Sequence, residues 1–202
     1  MHVQSVLLKA RRGDDLDVDR LIDVFVRLER LAGEGARLVD DVLAVGRLES
    51  RARETEAEVD VEEVLASTIP LHAEALRRAG CDIFVEKENA PDRIRGHWNR
   101  RTLVSILSNL LQNVCRYASG APVRICLSRC GSRARILIAD GGPGLPSLSP
   151  TSGEETPPPE ALKESHGLGI WIIHRSVAEL GGQVEMRNAE QGGLICEIWL
   201  PI

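Results

Sequence analysis

The rhythm of apolar and polar positions changes part-way along this chain. From about Asp17 to Arg53 the apolar residues Leu21, Phe25, Leu28, Leu31, Leu38, Val42 and Val45 recur at steps of three or four, with Gly35 filling one slot. That is a heptad seam, and it predicts a long helix that packs in a bundle or coiled coil. A shorter helix is expected over Val3 to Arg11, with a turn at Gly13-Asp14-Asp15 between the two. The arms of this hairpin are unequal, so much of the long seam would face water unless a second chain covers it or the first helix begins well upstream of Met1.

The rhythm changes after the charged stretch Glu49 to Glu58. Residues 1–54 are therefore read as a helical hairpin and residues 55–202 as a separate domain. In the second part, short strands are expected at Val59 to Val61, Asp82 to Glu86 and Arg93 to His97. A hairpin is expected at Val123 to Ser128 and Ala134 to Ala139 around Gly131, and closing strands at Gln183 to Arg187 and Leu194 to Leu200. Helices are expected over Glu63 to Ala79, stopped by Gly80, over Asn99 to Tyr117, and over Gly167 to Leu180, ended by Gly181-Gly182. The loop from Gly141 to His166 holds Pro157-Pro158-Pro159 and much Ser, Thr and Gly. A loop of that length inside a compact domain points to a mobile lid over a ligand.

Composition narrows the classes. The 202 residues are 43% hydrophobic and 27% charged, with a net charge of -5. No basic stripe offers itself to phosphate backbones, which argues against nucleic acid as a partner. No apolar run in this chain has the length of a membrane segment. Five cysteines without a regular framework fit reduced thiols in the cytoplasm.

Candidate chemistry lies in three places. Asn109, Asn113 and Arg116 share one face of the Asn99 to Tyr117 helix, opposite the buried Leu107, Leu110, Leu111 and Val114. Asparagine is a poor helix former, so two of them suggest a task. An amide oxygen suits Mg²⁺ that is already bound to phosphates. Next, Asp140 ends an apolar strand and runs into Gly141-Gly142-Pro143-Gly144. A carboxylate there can accept from an exocyclic amine, and the glycines permit close approach to a flat ligand. Last, Gly167-Leu168-Gly169 opens a helix, where bare backbone N–H groups attract anions.

In this order the three motifs resemble the ATP-binding domain of sensor histidine kinases, within the superfamily that also holds gyrase, Hsp90 and MutL. Asn109 to Tyr117 resembles the N box, Asp140 to Gly144 the G1 box, and Gly167 to Gly169 the G2 box. Gly96-His97-Trp98 and the closing Trp199-Leu200-Pro201 extend the likeness. Leu38 to Leu48 resembles the end of the second helix of the kinase dimerisation domain.

The resemblance implies an α+β fold: a two-layer α/β sandwich of the Bergerat type, its mixed sheet covered by helices on one face, preceded by an α-helical hairpin. It implies Mg²⁺ and ATP as cofactors, with Asn113 holding the metal and Asn109 supporting it. Arg116 would stand near the phosphates and Tyr117 beside the nucleotide. Asp140 would read the adenine amine, with Gly142 and Gly144 letting the loop pass the base. Gly167, Leu168 and Gly169 would place backbone amides at the phosphates. The partners implied are a response regulator receiver domain and a second copy of the chain, joined through the stalk.

The family's phosphoacceptor motif is absent from this sequence; His2 is followed by Val3-Gln4-Ser5. The implied activity is therefore transfer of the γ-phosphate to a histidine not evident here. The alternative is an inactive, dimeric docking module. Gyrase-type relatives place a glutamate general base where this chain has Asn109, which argues against ATP hydrolysis of that kind.

Overall fold

The computed structural model describes residues 22, 25–28, 56–88, 93–145 and 167–202. The chain divides into two compact units, Met1–Arg47 and Leu48–Ile202. In the first, the described residues are helical, and Phe25 and Leu28 of the expected seam are 63% and 42% exposed. The other residues of the expected hairpin, and positions 146–166 of the expected lid, lie outside the described residues.

The second unit begins with β1 (Ala57–Asp60) and α1 (Val61–Ala79). The expected strand over Val59 to Val61 stops one residue early, for a local reason. The Asp60 carboxylate accepts hydrogen bonds from the backbone N–H of Glu62 (3.0 Å) and Glu63 (3.5 Å), and so caps a helix that starts at Val61. Gly80 ends α1 in the left-handed region (φ 67°). Then come β2 (Ile83–Glu88), β3 (Arg95–Trp98) and α2 (Arg100–Tyr117). Asn99 caps α2 through the N–H groups of Arg101 (3.0 Å) and Thr102 (3.1 Å). The remaining elements are β4 (Val123–Cys130), β5 (Arg133–Asp140), α3 (Gly167–Glu179), β6 (Gln183–Asn188) and β7 (Leu194–Pro201).

Among the described residues five strands form one sheet in the order β2-β4-β5-β7-β6, in which only the β2–β4 pair is parallel. β1 and β3 make a separate antiparallel pair. One face of the large sheet, with Ile125, Leu127, Ile136, Ile138, Ile198 and Leu200, joins a core with Val64 and Leu65 of α1, Leu103 to Leu111 of α2, and Ile173 and Val177 of α3. Along β5 and β7 the opposite face keeps Arg135, Leu137, Ile195, Glu197 and Trp199 half-buried. This is the expected α+β sandwich with helices on one face of a mixed sheet.

Two far-apart segments are locked together by Trp98, which is 1% exposed. Its indole N–H donates to the Pro201 carbonyl at 2.8 Å, tying β3 to the end of β7. Gly96 is required beneath it, because a Cβ there would run into the Trp98 ring.

Candidate functional site

The strand order brings the ends of β5 and β6 and the start of β7 to one end of the sheet, beside the C-terminal half of α2. A cleft of about 610 Å³, which includes space open to solvent, lies there. Leu110, Asn113, Val114 and Tyr117 of α2 line it, with Ile170 of α3. Its apolar wall is one cross-strand row, Ile138–Cys196–Met186, set by the pairing of β5 with β7 and of β7 with β6. Burial pushes the Cys196 thiol up to about 12, so this wall stays uncharged.

Asp140 stands at the end of β5 and lines the same cleft as Asn113. One carboxylate oxygen, Oδ1, accepts from the N–H of Gly142 at 2.9 Å and of Leu194 at 3.2 Å. Among the described residues no hydrogen bond reaches Oδ2. The carboxylate is thus held by one oxygen.

The glycines have distinct geometric duties. A Cβ on Gly142 would lie 2.9 Å from the Tyr117 carbonyl oxygen and 3.0 Å from Ala118 Cα, so the loop after β5 packs directly on the end of α2. Gly144 has φ 74°, and a Cβ there would lie 2.6 Å from Asn188 Oδ1. At Gly169, in the first turn of α3, a Cβ would stand 3.7 Å from Asn113 Oδ1. The opening of α3 and the α2 amide therefore meet.

Of the residues singled out from sequence, Asn113, Tyr117, Asp140 and Gly144 line the cleft, while Gly142 and Gly169 back it. Gly167 and Leu168 form the start of α3. Asn109 and Arg116 lie on α2 outside the cleft lining. The Asn109 amide donates to the Ser105 carbonyl of its own helix at 2.9 Å, and the Arg116 guanidinium stands 5.7 Å from the Tyr117 ring centroid. Sequence reasoning missed Met186, Leu194 and Cys196 of the wall, and Asn188 and Gly193 of the β6–β7 turn. Gly193 has φ 99°, and a Cβ there would collide with the Asp140 carbonyl. The Gly192-Gly193 pair between two strands was the available signal.

The family model for histidine kinase-, DNA gyrase B- and HSP90-like ATPases matches residues 98–202, which takes in α2, the glycine loop, α3 and the cleft wall. The chain belongs to this ATPase family. Similar curated proteins are sensor kinases. CarS of Pseudomonas aeruginosa is 30% identical over 56% of this chain, and QseC of Escherichia coli is 31% identical over 80% of it. The chain spans 26% and 36% of the length of these two relatives. Among solved structures, full-length ShkA in complex with AMPPNP superposes with a TM-score of 0.64 at 25% identity, covering 98% of this chain and 41% of that one. The histidine kinase ThkA, in complex with the response regulator TrrA, gives 0.60 at 19% identity, over 99% of this chain and 56% of that one. The second unit thus has the fold of the catalytic, ATP-binding region of histidine kinases.

Proposed function

We propose that the cleft binds Mg·ATP and that this chain is the catalytic region of a two-component histidine kinase, passing the γ-phosphate to a histidine not evident in this sequence. The observation that carries this reading is the convergence of Asn113 and Asp140 on one cleft. Its lining combines an apolar wall and the Asp140 carboxylate with the Asn113 amide and Ile170 of α3, groups suited to the base and the phosphates of a nucleotide.

The residues present fit the ligand. The unengaged Asp140 oxygen accepts a hydrogen bond from the exocyclic amine of adenine, whereas guanine would present a carbonyl there and be repelled. Ile138, Met186 and Cys196 exclude water around the base. Tyr117 flanks it. The N–H groups at Gly167, Leu168 and Gly169 favour the phosphates. Asn113, beside Gly169, would hold Mg²⁺ that arrives with the nucleotide and so needs few protein ligands. The chemistry such a metal would supply there is neutralisation of phosphate charge. Asn109 would support that end through its anchored amide, and Arg116 would add positive charge at the last turn of α2. The protein's own contribution to phosphoryl transfer is then mainly positioning.

A response regulator receiver domain is the partner we infer, by analogy with the TrrA complex of ThkA. A homodimer through residues 1–54 is supported by the exposure of Phe25 and Leu28 on the seam. Among the described residues no helix is long and apolar enough to cross a membrane. We place the region in the cytoplasm on the strength of its sequence. The missing phosphoacceptor motif favours a second reading, an inactive docking module. Incubation with labelled ATP and a stalk that carries an acceptor histidine separates the two. Acid-labile labelling of the stalk supports the kinase; nucleotide binding with no labelled stalk supports the docking module.

A further inference from the structure

Beyond the residues that face the nucleotide, the rim of the cleft carries a latch. Asn188 is the last residue of β6 and is exposed. Its side-chain amide makes two reciprocal hydrogen bonds with the backbone of Leu145: the Leu145 N–H donates to Asn188 Oδ1 at 2.9 Å, and Asn188 Nδ2 donates to the Leu145 carbonyl at 2.9 Å. This is the two-point geometry of an antiparallel strand pair, made by one side chain. Pro143, Gly144 and Leu145 all line the cleft, so the residue held by Asn188 is part of its wall. The other end of the same loop is held by Asp140 through Gly142. Gly144, between the two anchors, has no room for a side chain against Asn188 Oδ1.

We propose that Asn188 is a positioning residue for the nucleotide: it fixes Leu145 at the cleft rim before the ligand arrives, so that binding need not order the loop. This rests on the Mg·ATP reading above. Among the described residues no other hydrogen bond holds Leu145, and Asn188 is exposed at the end of β6. Removing the amide should therefore release the rim and leave the fold standing.

The test uses the full chain with Asn188→Ala and Asn188→Asp. In the nucleotide-free protein, amide hydrogen exchange at Leu145 should speed up in Asn188→Ala while the melting temperature stays near wild type. The dissociation constant for Mg·ATP should rise about fivefold to tenfold, as two exposed hydrogen bonds allow. Asn188→Asp keeps an acceptor for the Leu145 N–H but sets a carboxylate oxygen against the Leu145 carbonyl, and should weaken binding at least as much as Asn188→Ala. Unchanged exchange at Leu145, or wild-type affinity in Asn188→Ala, overturns the latch. A wild-type chain that binds no nucleotide overturns the underlying reading instead, and the exchange at Leu145 then decides the latch by itself.

Discussion

At the residue scale, the proposed role of Asp140 gives each oxygen its own job. Oδ1 holds the N–H groups of Gly142 and Leu194, and in the proposal Oδ2 meets the ligand. Asp140→Asn separates the jobs, since its oxygen can still accept from both backbone donors while its NH₂ faces the cleft. Two donors then meet at the adenine amine. We predict a loss of ATP affinity of about 1–3 kcal/mol with little change in melting temperature. Calorimetric titration of the purified variant measures it, and wild-type affinity would refute the role. Asp140, Asn113 and the glycines were legible in the sequence because a strand or a helix core has no use for them there. Met186, Leu194 and Cys196 were not, since an apolar cleft wall and an apolar core have the same signature in one dimension. The need for Gly193 becomes visible only once the Asp140 carbonyl stands against it.

At the element scale, two long-range ties make testable claims. Trp98 joins β3 to β7, and Gly96 leaves the space its ring fills. Gly96→Ala should destabilise the unit by about 1–3 kcal/mol, as overpacking does, read as a lower midpoint in urea unfolding. On the other sheet face, Arg135 bonds Glu197 at 3.2 Å and Arg187 approaches it at 3.4 Å. The Arg135 hydrogen bond, more than any other influence, holds the Glu197 carboxyl below its usual value of 4.5. The folded value is the depressed one, so this stabilisation is complete above about pH 4.5 and fades as pH falls through the folded value. Glu197→Gln should therefore lower the melting temperature at neutral pH and flatten its decline on the acid side. Equal acid slopes in the two proteins would contradict this. Most elements were legible from periodicity and from caps such as Asn99 and Gly80. The parallel pairing of β2 with β4 was not, because Ile83–Glu88 does not alternate and pairing partners depend on the crossover between strands.

At the scale of the whole molecule, function depends on strand order. The sequence β5-β7-β6 places Asp140, Leu194 and Asn188 at one sheet end, and α2 brings Asn113 to the same place. The motifs that hold Asn113, Asp140 and Gly169 could be recognised one by one, but their meeting around one cleft is a property of the folded chain. The most direct measurement is calorimetric titration of ATP into the full chain, with and without Mg²⁺, for wild type and Asn113→Ala. The account predicts a single site that Mg²⁺ strengthens by about tenfold or more in the wild type, with most of that gain lost in the variant. Absence of ATP binding, or a Mg²⁺ effect of equal size in Asn113→Ala, would contradict it.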